Sequence, residues 1–245
     1  PMMMAILDEM NLARVEYYFS EFLSKLELRG SDYAKSEILV GSNLDPCKFF
    51  VGSNVVIVGT MNDDESTYAL SDKVLDRANV LHFGKPDSFG NSTYKEAVAP
   101  IKVDFKTFYQ WRQNDNFSRL ASQDEEQLKK EIETLNNALD QVGKPFGHRV
   151  NNSIQSYLKA YPLTSDADEM TTVKLALADQ IEMKIIPKLA GIEQNDRSDY
   201  CLNLLGQVVD FTDDEELKTA FRKAREDYNN ASMFIWRGVT RSLDD

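Results

Sequence analysis

An α/β sheet followed by an all-helical region is the fold class this sequence predicts, and three features predict it. Two apolar runs, residues 2–7 (Met-Met-Met-Ala-Ile-Leu) and residues 55–58 (Val-Val-Ile-Val), each end in polar residues, as buried parallel strands do at the open end of a sheet. From Phe105 onward, apolar residues recur at spacings of three and four, the period of a helix face. Between the two regions, residues 84–100 show no periodicity and carry Gly84, Pro86 and Gly90, so they read as a connector. The expected division is an α/β part over residues 1–100 and a helical part over residues 101–245.

The elements follow in order. After the first strand, Val15, Tyr18, Phe19, Phe22, Leu23 and Leu26 share one helical face, and the helix is expected to end near Arg29-Gly30. Residues 38–40 and 48–51 are short candidate strands, and Gly52-Ser53-Asn54 turns the chain into the strand at 55–58. A helix over 68–78 and a strand over 79–83 would complete the alternation of a parallel α/β sheet.

In the second part, Phe105, Phe108 and Tyr109 begin one helix. Ser122 with Glu125 forms a capping-box pattern ahead of Leu128, Ile132, Leu135, Leu139 and Val142, and Gly143 and Pro145 stop that helix. Val150, Ile154, Tyr157, Leu158 and Tyr161 mark the next. Residues 170–186 form another that ends at Pro187, and Tyr200, Leu204, Leu205 and Val208 mark a short one. Thr212 with Glu215 is the expected cap of a last helix carrying Leu217, Phe221, Ala224 and Tyr228.

Composition narrows the function classes. A chain of 245 residues that is 42% hydrophobic can bury a sizeable core. No apolar run approaches the roughly 20 residues needed to span a bilayer, and the first apolar run has no basic flank or cleavage site, so a cytoplasmic protein with no membrane partner is expected. Forty acidic against 28 basic residues give a net charge of -12, which repels a nucleic-acid backbone over most of the surface. Arg112, Arg119, Lys129 and Lys130 are interleaved with acids and read as a solvated face. Cys47 and Cys201 have no second Cys or His at ligand spacing, so no zinc site is suggested.

The chemistry-bearing residues sit at the ends of the two apolar runs. Asp8 and Glu9 close the first, and Gly59-Thr60-Met61-Asn62 closes the second. Carboxylates at the C-terminal end of a buried strand can hold Mg²⁺ through its water shell and polarise an attacking water. An Asn on the neighbouring strand can contact a γ-phosphate without adding charge. An Asp-Glu pair also arises wherever a strand meets a helix N-terminus, because acids suit the positive end of the helix dipole.

These residues resemble the AAA+ nucleotidases of the McrB type, the motor subunits of methylation-dependent restriction systems. Leu7-Asp8-Glu9-Met10-Asn11 looks like the family's Walker B strand and the Asn that follows it. Gly59-Thr60-Met61-Asn62 looks like its sensor strand, and residues 69–77, ending in Arg77, look like its arginine-bearing segment. Gly147-His148-Arg149-Val150 and residues 186–191 are similar to pieces of its helical lid.

The resemblance implies a partial P-loop NTPase sheet followed by a lid, with Mg²⁺ and ATP or GTP as cofactors. It implies Asp8 as the metal-water ligand, Glu9 and Asn62 as catalytic groups, and Arg77 acting in trans in a homo-oligomeric ring. Asn11 and Arg149 would bind nucleotide, a nuclease subunit is an expected partner, and DNA would be met only through parts outside these residues. Arg77 and Arg149 also fit an ordinary helix-end arginine and a solvated one.

The departures from the family pattern are equally specific. Glu65 and Ser66 stand where the family usually carries an Asp and an Arg, and Asp63, Asp64 and Glu65 make that loop acidic. No Gly-x-x-x-x-Gly-Lys-Ser/Thr occurs, so the backbone cradle for phosphates is missing and the 245 residues are expected to be inactive by themselves. Pro1 directly precedes the Walker B-like strand, so the resemblance implies a piece of a longer protein. The competing expectation is a non-hydrolysing AAA+ relative that serves as an assembly or protein-interaction module.

Overall fold

A computed structural model describes residues 3–28, 37–42, 45–52, 54–62, 68–83, 102–111, 115–162 and 168–241. The chain forms two compact units, Pro1–Arg77 and Ala78–Asp245. The connector expected at residues 84–100 lies outside the described residues.

In the first unit, β1 (Met3–Leu7) pairs in parallel with β4 (Val55–Gly59), Met3 opposite Val55 and Leu7 opposite Gly59. The adjacent, parallel pairing expected from the two apolar runs is present. Between them in sequence, β2 (Glu37–Ser42) and β3 (Asp45–Phe50) form a separate antiparallel pair, braced by an ion pair of 2.9 Å between Lys48 and Glu37. The hairpin therefore interrupts the parallel alternation rather than extending it.

Two expected helices are shorter. The helix after the first strand breaks into α1 (Val15–Tyr18) and α2 (Ser20–Leu28), because Phe19 leaves helical geometry at φ -114°, ψ 0° and stacks its ring on Phe22 at 4.6 Å. The helix expected over 68–78 contracts to α3 (Asp72–Leu75), a single turn that buries Val74.

The second unit is helical. Its elements are α4 (Phe105–Trp111), α5 (Ser122–Gln141), α6 (His148–Ala160), α7 (Glu169–Gln180), α8 (Asp196–Phe211) and α9 (Glu215–Ala231). The core runs along the α5–α8 contact. Leu128, Ile132, Leu135 and Leu139 of α5 share it with Cys201, Leu205, Val208 and Val209 of α8. Fully burying a Leu or Val contributes about 1.5–3 kcal/mol, so this stripe dominates the stability of the unit.

Helix ends differ from the expected capping patterns. Ser122 is the first helical residue of α5, and Ala121 is the cap residue without a side-chain bond, so no capping box forms there. Gly143 at φ +71° does end α5, as expected of a helix-stopping glycine. The cap of α9 is Asp214, whose carboxylate accepts from the Leu217 N–H at 2.8 Å. Thr212 instead donates its hydroxyl to the Val209 carbonyl and closes α8. A complete capping box forms at Asn195 and Ser198, and it starts an α8 of 16 residues where only a short helix was expected.

The helix expected over 170–186 ends as an α-helix at Gln180 and continues as a π-helical turn, Ile181–Ile185, then a 3-10 turn, Ile186–Leu189. Pro187 supplies the reason. It has no N–H to give the Met183 carbonyl four residues back, and its ring crowds that carbonyl, so the turn widens. The freed Met183 oxygen accepts the Val80 N–H at 2.9 Å.

That bond also corrects the last expected strand. Residues 79–83 are not a strand. They run as an irregular segment with Val80 buried on one side and Leu81 and Phe83 exposed on the other.

Candidate functional site

The ends of β1 and β4 build a linked turn from a few hydrogen bonds. Because Leu7 faces Gly59 in the parallel register, the next residues, Asp8 and Thr60, leave the sheet side by side. Thr60 donates its backbone N–H to the Leu7 carbonyl, and Met10 returns its N–H to the Thr60 carbonyl, both at 2.9 Å. The Thr60 hydroxyl accepts the Glu9 N–H at 3.0 Å and donates to the Asp8 carboxylate.

Glu9 turns the chain in left-handed backbone geometry, φ 50° and ψ 43°, a conformation that costs a non-glycine residue of order 1 kcal/mol or more. The turn presents both acids to solvent, and both side chains are exposed. The Met10 side chain lies across Gly59, where a Cβ would collide with its sulfur.

Asn11 is the buried member of the group. Its amide Nδ2 donates to the Asn62 carbonyl at 2.8 Å, and its own carbonyl accepts the Tyr68 N–H at 3.1 Å. This ties the exit of β1 to both sides of the segment that follows β4. Asn11 is 4% exposed, and among the described residues its Oδ1 has no hydrogen-bond partner. A buried acceptor left open in this way fits a donor such as a metal-bound water. The Asp8 carboxylate fits the same chemistry, since Mg²⁺ keeps several waters and takes few protein carboxylates. Among the described residues, no group of three or more His, Cys, Asp or Glu side chains could hold a metal directly.

Asp8, Glu9, Asn11 and Asn62 are thus brought together in the first unit. The acidic loop of Asp63, Asp64 and Glu65 lies outside the described residues. Arg77 follows the single turn of α3, half-buried, and donates to the Lys73 carbonyl at 3.4 Å. Arg149 belongs to the other unit, exposed in the first turn of α6. The residue that sequence reasoning missed is Thr60. It was present in the Gly-Thr-Met-Asn run, and counting the strand register would have set it opposite Asp8.

Elsewhere, an acidic cluster holds Arg241. Its guanidinium pairs with Glu182 and Asp214 at 2.9 Å and with Glu216 at 3.2 Å, and Asp179 lies 3.8 Å away. Burial pushes the Glu182 carboxyl above its usual range despite Arg241, and it pushes the neighbouring Tyr161 hydroxyl up to about 12. The Cys201 thiol, also buried, is pushed up to about 11 and is a core group rather than a nucleophile. Among the described residues, no helix is long and apolar enough to cross a membrane.

No curated protein and no solved structure gives a significant match to this chain. The model of a family described as a domain of unknown function, DUF8727, matches residues 98–238, more than half of the 245, and the chain belongs to that family.

Proposed function

We propose that this chain carries the Walker B, sensor and lid portions of an AAA+ nucleoside triphosphatase of the McrB type, hydrolysing ATP or GTP with Mg²⁺. The observation that carries the reading is the parallel β1–β4 pairing, which sets Asp8 and Glu9 beside the Thr60-Met61-Asn62 exit. In this reading Asp8 holds Mg²⁺ through water while Glu9 accepts a hydrogen bond from the attacking water. Asn62 orients that water, and the Asn11 Oδ1 would accept a hydrogen bond from a water held by the metal. Arg77 acts on the neighbouring subunit's nucleotide in a homo-oligomer, and Arg149 contacts nucleotide from the helical unit. A nuclease subunit and, through other parts, DNA are the partners this reading implies.

The phosphate grip has to come from outside these 245 residues, which contain no phosphate-loop motif. Positioning of the β- and γ-phosphates is most of the catalysis in phosphoryl transfer, so the 245 residues alone should not turn nucleotide over. The test uses a chain that carries a phosphate loop ahead of Met3. There, Glu9→Gln should keep nucleotide binding and lose Mg²⁺-dependent hydrolysis. Arg77→Ala should lose hydrolysis and regain it in mixed oligomers with wild-type neighbours. Turnover that survives Glu9→Gln overturns the assignment of the base, and equal loss in mixed and pure assemblies assigns Arg77 a structural role.

A second reading, a non-hydrolysing assembly module derived from the same fold, is favoured by one fact. The family match falls on the helical part and leaves β1 and β4 outside it. Nucleotide binding without turnover in the phosphate-loop-bearing chain would select this reading.

A further inference from the structure

Three segments distant in sequence meet in the second unit without forming a helix pair: residues 78–83, the π-helical turn and the tail after α9. The entry segment is fixed first by the π-helical turn. Met183 accepts the Val80 N–H at 2.9 Å, and the buried Lys184 ammonium donates to the Ala78 carbonyl at 2.9 Å. The first bond uses a carbonyl that an ordinary α-helix would already have given to the N–H four residues on, whereas the second is a side-chain contact that adds to it. The absence of an N–H on Pro187 is what releases Met183.

The tail then closes over the same segment. It leaves α9 at Ser232, with φ 57°, and pairs Met233 with Glu193 in an antiparallel bridge. Phe234 and Trp236 insert into the core, 0% and 6% exposed. Gly238 takes φ +84° and passes so close to His82 that a Cβ would collide with the His82 carbonyl oxygen and sit 2.9 Å from its carbon. Three residues later, Arg241 enters the cluster of Asp179, Glu182, Asp214 and Glu216, which come from α7, the π-helical turn and the start of α9.

We propose that the tail, residues 233–241, is a clasp: Gly238 holds residues 78–82 on the π-helical turn, and Arg241 is the latch that keeps the tail closed. The glycine is required twice, for its positive φ and for the lack of a Cβ against His82. The latch is of a kind that opens without unfolding the helices, because Arg241 is 39% exposed and its partners lie at the unit's surface as well as inside it. A protein that captured the tail would free the segment directly after Arg77. The clasp itself stands whether or not Arg77 acts in trans.

Amide hydrogen exchange of the full 245-residue chain tests the clasp. In Gly238→Val and in Arg241→Gln, the Val80 amide should exchange faster by about tenfold or more, the scale of a local opening. Amides of α5 and α8 should keep their wild-type protection. Unchanged protection at Val80 in either folded variant overturns the proposal. So does loss at Val80 in step with α5 and α8, which would make the tail ordinary core. Should Gly238→Val fail to fold, Arg241→Gln decides by the same readout, and turnover assays on Arg77 do not enter into it.

Discussion

The Thr60 hydroxyl accepts from the Glu9 N–H and donates to Asp8, so one side chain ties the ends of both parallel strands. Thr60→Val keeps the shape and removes both bonds. Because the site is exposed, water replaces part of what is lost, and the expected cost is about 1 kcal/mol in chemical denaturation of the first unit. A cost indistinguishable from zero would make the tie incidental.

At the other end of the chain, Glu182 is a carboxylate whose burial outweighs the pull of Arg241, so its folded pKa lies above its unfolded one. The sign follows from proton binding. A raised folded pKa contributes stability that is present in acid and lost as pH rises through the folded value. Glu182→Gln retains an acceptor for Arg241 and does not titrate. At pH 7 the variant should therefore lie within about 1 kcal/mol of wild type or above it. The difference, variant minus wild type, should fall as pH is lowered towards 4, because only wild type gains from protonation. A difference that grows in acid would show that the ion pair outweighs burial.

The contrast between these two sites shows what could be read from residues alone. The positions of Asp8, Glu9 and Asn62 at the strand exits were legible because two apolar runs with polar ends fix where strands stop. The Arg241 cluster was not, since its partners are spread from Asp179 to Glu216 and only folding brings them together.

At the scale of elements, a local pattern succeeds when nothing downstream competes with it. Ser122 and Glu125 satisfy the capping-box spacing, yet the helix takes Ser122 as its first residue and leaves the pattern unused. Asn195 and Ser198 form the real box, with Asn195 Oδ1 accepting from the Arg197 and Ser198 N–H groups at 3.0 and 3.1 Å. Asn195→Ala should therefore cost about 1–2 kcal/mol in thermal or denaturant unfolding. Ser122→Ala should stay within about 0.5 kcal/mol. Equal effects would mean that spacing, not the observed bonds, governs these helix starts.

Residues 79–83 failed for a related reason. Val80 and His82 alternate with Leu81 and Phe83 as in a strand, but the alternation records one-sided docking on the π-helical turn, which no local rule encodes. Once Pro187 is recognised as withholding its N–H from Met183, the free carbonyl is predictable, while its acceptance of Val80 is not.

At the scale of the whole molecule, the described residues of the two units bury very different amounts of apolar surface. The second holds one continuous core from Leu128 to Trp236, whereas the buried hydrophobics described in the first are Val15, Ile38, Val51 and Val74. In β1, strand residues that a complete α/β sheet would cover stand open, with Met3 at 58%, Met4 at 57% and Ile6 at 64% exposure. Stability scales with apolar burial, so the units should not unfold together.

Both tryptophans lie in the second unit, Trp236 buried and Trp111 exposed, so the Trp236 emission shift reports that unit. Hydrogen exchange across β4 reports the other. In a urea titration, β4 amides should lose protection at a lower midpoint than the Trp236 transition. The gap should widen with Leu7→Ala, which weakens β1, and close with Leu135→Ala, which removes a fully buried core side chain at a cost of about 2–5 kcal/mol. Coincident midpoints in wild type and in both variants would mean that the units unfold as one. The exposed β1 residues would then need a cover that this burial pattern does not supply.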